Sequence, residues 1–167
     1  MKRYCLDMSG LSNPWVELPA DIHETLWAKV IACIESGALA TTTEVYEELV
    51  HIPGTLGDCI KDNKNKLVLE INSANWDWRT YVNHSTRMNM AHRQYISEYM
   101  HLNPKKTICL NDMSVVALGK SLGLPVVSME KSTADSVIHK KIPDICMLEG
   151  IVPLDFNKFL RAEGIKA

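Results

Sequence analysis

The chain has 167 residues, 46% of them hydrophobic, and a net charge of -2. That is an ordinary globular composition with enough length for one domain and a proper core, and nothing in it marks a basic nucleic-acid scaffold, although local patches matter more than totals. No apolar run approaches the roughly 20 residues that span a bilayer, and Met1 to Asp7 lacks a signal peptide's apolar stretch. The five cysteines contain no Cys-x-x-Cys pair. They read as reduced, mostly buried thiols of a cytoplasmic protein.

In chain order, Arg3 to Leu6 forms an apolar strand running into Asp7. Ser12-Asn13-Pro14 and Leu18-Pro19 predict a loop. Asp21 then caps a helix over 22–35 whose apolar face is Ile22, Leu26, Val30 and Ile34, with Trp27 and Ile31 beside it. Gly37 sits where a C-terminal glycine belongs. A second strand over 38–41 leads to a capping box of Thr41 and Glu44, opening a helix to about residue 51. Pro53-Gly54 stops it. A short helix over 56–62 and an apolar stretch of open type over 66–72 follow. The pattern then predicts a helix over 86–101, ended by Asn103-Pro104. A strand at 107–110, a helix over 113–122 closed by Gly123, a strand at 125–128 and a fifth strand at 151–154 come next. Asp155 caps a last helix with Phe156, Phe159 and Leu160 inward and Gly164 at its end. Strands alternating with helices argue for an α/β fold with a mostly parallel sheet covered on both faces.

Four acids recur just after these strands or on the helix that follows: Asp7, Glu48, Asp112 and Glu130. Ligands of open α/β sheets bind outside the carboxyl ends of the strands, so acids a hundred residues apart can meet at one edge. Carboxylates gathered there repel unless a cation sits among them. Glu44 and Glu48 are four apart and share a helix face. Each acid also has a structural use. Asp7 suits a turn, Glu44 a capping box, Asp112 an N-cap, Glu130 a solvated loop beside Lys131, and Asp144 a turn or cap.

Other chemistries lack their signatures. There is no Gly-x-Gly-x-x-Gly, Walker loop or Gly-x-Ser-x-Gly elbow, and no His-Glu-x-x-His or zinc spacing. A haloacid-dehalogenase-type phosphatase wants a second Asp two residues after the first, where this chain has Ser9. His84, His92 and His101 are too far apart for one helical turn.

Three segments carry a resemblance: Tyr4-Cys5-Leu6-Asp7-Met8-Ser9-Gly10-Leu11, Val45-Tyr46-Glu47-Glu48-Leu49, and Asn111-Asp112-Met113-Ser114-Val115-Val116-Ala117 through Val126-Val127-Ser128-Met129-Glu130. Together they resemble the PIN-domain family of metal-dependent ribonucleases. Lys141-Ile142-Pro143-Asp144-Ile145-Cys146 and the Phe159-Leu160-Arg161 helix resemble a prokaryotic PIN-like subfamily of VapC-type toxins. The likeness spans nearly the whole chain, with residues 50–105 matching only in helical character. Ser9 stands where Asn is commoner, and Glu130 where the closing acid is usually Asp.

The resemblance implies one PIN-like domain over 1–167, a three-layer α/β/α sandwich around a central mostly parallel sheet of four to five strands. It implies a metal-dependent endoribonuclease, the toxin of a toxin–antitoxin pair, with Mg²⁺ or Mn²⁺ held by Asp7, Glu48, Asp112 and Glu130. Glu44 and Asp144 are further candidate ligands, and Ser9 and Ser128 orient the others. The implied partners are an RNA substrate, a DNA-binding cognate antitoxin and a second copy in a homodimer, with no membrane. Two basic groups, Lys61, Lys64 and Lys66, and Arg87, Arg93, Lys105 and Lys106, are candidate flanks for RNA. Trp76, Trp78 and Tyr81 are candidate stacking residues. The alternatives are a catalytically weak or inactive PIN-like module binding RNA or protein, and a metal-dependent phosphohydrolase of small nucleotides.

Overall fold

The computed structural model describes residues 1–73 and 76–166. Its sheet has four parallel strands: β1 (Tyr4–Leu6), β2 (Leu39–Ala40), β3 (Val126–Val127) and β4 (Pro153–Leu154). Their order is β2-β1-β3-β4. Cys5 pairs with Ala40 on one side and Val126 on the other, and Val126 pairs with Pro153. Every residue of β1, β2 and β3 is buried, as a parallel sheet covered on both faces requires. Pro153 falls on an edge strand, where its missing N–H leaves no ladder bond broken.

Helices cover the sheet to give a three-layer α/β/α sandwich. The central one is α8 (Leu110–Leu122), buried without interruption from Met113 to Gly119 and lying on β1 and β3. Gly119 lets it lie flush, since a Cβ there would come within 2.7 Å of Val126 Cγ2. Around α8 pack α3 (Thr43–Leu49), α6 (Trp78–Ala91) and α9 (Ile142–Leu148). Helices α1 (Ser9–Glu17), α2 (Glu24–Glu35) and α10 (Phe156–Ala162) meet through aromatic contacts. Trp15 stands edge-on to Trp27, Trp27 stacks on Phe156, and Phe159 abuts Tyr4 of β1. The short helices α4 (Gly54–Asp62), α5 (Lys64–Leu67) and α7 (Ser97–Met100) complete the chain.

Several elements depart from the sequence pattern. The loop expected at Ser12-Asn13-Pro14 is helix α1, with buried Pro14 inside it at the cost of one backbone bond, to the Gly10 carbonyl. Helix α2 starts at Glu24, because the amides of Ile22 and His23 both turn back onto the Pro19 carbonyl. Ile22 is therefore 72% exposed, and Asp21 caps nothing. Thr42, not Thr41, caps α3 by accepting from the Val45 amide at 3.3 Å. Thr41 instead donates to the Leu6 carbonyl at 2.8 Å, and Glu44 is exposed rather than part of a capping box.

The helix expected over 86–101 begins earlier, at Trp78, where Asp77 accepts from the Arg79 amide. It ends at Ala91, and a 3₁₀ turn at Arg93–Tyr95 and α7 follow. Residues 107–110 form no strand of the sheet. Ile108 makes a single bridge to Ile96, because β3 already holds the place beside β1. The stretch 66–72 contributes the end of α5 and a parallel bridge from Val68 to Thr41.

Candidate functional site

Strand β1 ends just before Asp7 and β3 just before Ser128, side by side at the carboxyl edge of the sheet. The Asp7 amide donates to the Val127 carbonyl at 3.0 Å. Gly10 allows α1 to start directly over this edge, since a Cβ at Gly10 would lie 2.8 Å from the Val127 carbonyl oxygen. That approach places Ser9 beside both strand ends. Ser9 Oγ donates to Asp7 Oδ2 at 2.5 Å, and Ser128 Oγ donates to the same oxygen at 3.0 Å. The two hydroxyls lie 3.1 Å apart. They also accept from the Met129 and Glu130 amides, so the serines fix the backbone as well as the acid.

Asp112 reaches the same edge from the first turn of α8. It lies two residues inside that helix rather than at its cap, and its Oδ2 accepts from the Cys109 amide at 3.2 Å. Glu130 Oε2 accepts from the Ile142 amide at 2.9 Å. Glu48, on α3, accepts at Oε1 from Asn111 Nδ2 at 3.0 Å. Asn111 adjoins Asp112, so it ties Glu48 to the others. The Thr42 and Ser114 hydroxyls, 2.8 Å apart, bind α3 to α8 one turn further on.

The electrostatics join three of these acids. Burial pushes the Asp7 carboxyl up to about 6, and the charge of Asp112 adds to it against the opposing serine bonds. Burial and the charges of Asp112 and Asp7 push Glu130 up to about 7. The Ile142 amide and Lys141 oppose that rise. Among the described residues, no three His, Cys, Asp or Glu side chains stand in the tight grouping of a closed metal site. Asp7, Asp112 and Glu130 feel one another's charge at this edge. Their donors are all oxygens, the set that Mg²⁺ and Mn²⁺ prefer.

Glu44 does not join them. It lines a cleft of about 80 Å³ with Trp76, Trp78, Tyr81 and Thr41 to Thr43, and its charge, after burial, helps push Tyr81 up to about 12. The three aromatic rings pack on one another at 5.3–5.8 Å. Asp144 is close in sequence but fully engaged. It accepts from the Lys141 amide at 2.8 Å, from Thr133 and from Ser132, capping α9. These bonds outweigh burial and hold it below the usual carboxylate range.

The expected basic flanks are largely occupied. Arg87 pairs with Glu149, Arg93 lies over Tyr99, Lys64 over Tyr46, and Lys66 donates to the Glu35 carbonyl. Lys61, Lys105 and Lys106 are exposed. Two residues at the site carry no assignment in the sequence reading, Asn111 and Lys141. Asn111 had a legible signal, a side-chain amide immediately before an acid at a helix start. Lys141 had none, since it lies eleven residues after Glu130.

Residues 4–167 match the family described as Domain of unknown function (DUF4411). The chain belongs to that family. All four acids fall within the matched residues. Among solved structures, the crystal structure of PAE2754 from Pyrobaculum aerophilum has a similar fold. It aligns with a TM-score of 0.51 at 14% identity, covering 98% of this chain and 90% of that one. A search of curated proteins returned no match. Among the described residues, no helix is long and apolar enough to cross a membrane.

Proposed function

We propose that this chain is a metal-dependent endoribonuclease of the PIN-like, VapC-type toxin class, acting on RNA phosphodiesters at Mg²⁺ or Mn²⁺ held by Asp7, Glu48, Asp112 and Glu130. One observation carries the reading. Each acid has a single oxygen fixed by uncharged donors: Asp7 by Ser9 and Ser128, Glu48 by Asn111, Asp112 by the Cys109 amide, Glu130 by the Ile142 amide. Among the described residues, the second oxygen of Asp7, Glu48 and Glu130 accepts no protein hydrogen bond. Four carboxylates oriented by neutral groups, with no salt bridge to any of them among the described residues, suit a hard divalent cation.

Such an ion supplies a Lewis acid and an acidified water for attack at phosphorus. The chain's part is positioning. Ser9 and Ser128 keep Asp7 from rotating, Asn111 steers Glu48 toward Asp112, and the α9 amide holds Glu130. In this class a DNA-binding antitoxin and a second copy of the chain are the expected partners.

Purified protein is expected to cleave single-stranded RNA in Mn²⁺, and Asp112→Asn to lower the rate by about 10²–10³-fold or more. Equal cleavage by variant and wild type would sink the assignment. Ser9 and Glu130, where the PIN-domain family more often has Asn and Asp, keep open a second reading, a PIN-like module that binds RNA or protein without cutting. Calorimetry separates the two, because absence of Mn²⁺ binding at millimolar concentration supports the module.

A further inference from the structure

Met8, between Asp7 and Ser9, lines a second cleft of about 360 Å³. Trp15, Val16, Ile52 and Pro53 form its other apolar walls, and Glu48 belongs to both this cleft and the acid patch. Its remaining polar groups are Ser12 and His51. A phosphate is a poor occupant, since the walls include a carboxylate and no lysine or arginine. A flat, uncharged group is a good one.

The cleft is built around a fixed indole. Trp15 stands edge-on to buried Trp27 at 4.8 Å and 80°. From another side Gly54 closes on it, and a Cβ at Gly54 would lie 3.2 Å from Trp15 Cζ2. Gly54 has φ +78°, a conformation side chains disfavour, so the close approach and the backbone both call for glycine. A ring held in place before binding loses little freedom when another ring stacks on it. Val16, also a wall, is 77% exposed, an apolar side chain left to solvent beside an acidic patch.

From this geometry, and resting on the ribonuclease reading above, we infer that the cleft seats an unpaired base adjoining the scissile phosphodiester, stacked on Trp15. Glu48, shared by cleft and acid patch, and Met8, the chain neighbour of Asp7, place that base next to a phosphate held at the acids. The substrate is then single-stranded, because a paired base is already stacked and cannot enter.

The test is fluorescence anisotropy with a labelled single-stranded oligoribonucleotide of about ten nucleotides, in Ca²⁺, against the same backbone carrying abasic sugars. Trp15→Ala is expected to weaken binding about tenfold, with Trp15→Phe restoring most of it. Val16→Glu, at an exposed position that folding does not need, is expected to weaken binding in the same direction. The abasic oligonucleotide should bind wild type as weakly as the normal one binds Trp15→Ala. No binding by wild type, or equal binding by all variants, overturns the base seat and leaves the cleft to an apolar side chain of a protein partner. Mn²⁺ calorimetry on the same proteins reads the acids separately. Trp15-dependent RNA binding without Mn²⁺ binding would end the nuclease reading while keeping the cleft as an RNA-binding surface.

Discussion

Two groups of buried acid on this chain are handled in opposite ways. Glu149 closes the C-terminal end of α9, where the helix dipole disfavours a carboxylate. Arg87 nonetheless donates to both of its oxygens at 2.9 and 3.1 Å, and His92 lies 3.1 Å from one of them. The Arg87 bonds, helped by His92, hold Glu149 down at about 2. At the sheet edge, Asp7 and Glu130 are held by hydroxyls and amides, and burial drives them up to about 6 and about 7. A carboxylate satisfied by a fixed guanidinium is a clamp between α6 and α9. One oriented by neutral donors is kept in place but left short of positive charge.

Proton competition gives that contrast its largest expected effect. Asp7 and Glu130 must both be ionised to hold a cation, so Mn²⁺ affinity should rise with pH through the range of about 6 to 7. Between pH 8 and pH 5.5 the loss should be about 100-fold, read by calorimetry. A flat profile would show that neither group takes part. Next comes the clamp. Glu149→Gln should destabilise the fold by about 2–3 kcal/mol in urea or thermal unfolding, with Mn²⁺ affinity unchanged. If Glu149→Gln changes ion binding as much as stability, the two groups of acid are not independent.

Much of this was legible in the chain, and for definite reasons. Val126-Val127 and Tyr4-Cys5-Leu6 are continuous apolar runs, the mark of strands buried on both faces, and each leads straight to the acid edge. Asp155 caps α10 as expected, with the Lys158 amide donating to it at 2.8 Å. The misses come from tertiary competition. Thr107 to Leu110 has a strand's composition but no free place in the sheet. Thr41 has a capping hydroxyl but gives it to Leu6. Ile22 fits a helical face that the turn at Pro19 cuts short. At the site, sequence gave acids and serines, while the Asn111 bridge and the fixed indole of Trp15 needed contacts between elements distant in the chain.

Asn111 sharpens the comparison on a smaller scale. Its amide is the neutral counterpart of Arg87, orienting Glu48 without cancelling its charge. Asn111→Ala should lower Mn²⁺ affinity about tenfold, as loss of a ligand-orienting partner does, with little change in stability. An unchanged affinity would remove Glu48 from the cation site and leave Asp7, Asp112 and Glu130.

The smallest expected effect separates the two groups by sign. Asp7 has a native carboxyl raised from 3.8 to about 6, so the folded state binds its proton more tightly than the unfolded chain does. Stability from this group is therefore fully present below about pH 4 and declines as pH rises through about 6. Asp7→Asn keeps the shape and an oxygen for the Ser9 and Ser128 hydroxyls but never ionises. It should be more stable than wild type by about 1 kcal/mol at pH 8 and no more stable at pH 4, while cation binding is lost. Glu149→Gln should show the reverse, because a lowered carboxyl stabilises only where it is ionised. Its cost should be full at pH 8 and shrink as pH falls below about 4 toward 2. If Asp7→Asn loses stability at pH 8, the hydroxyls of Ser9 and Ser128 neutralise the carboxylate well enough by themselves, and the edge acids are as settled in the fold as Glu149.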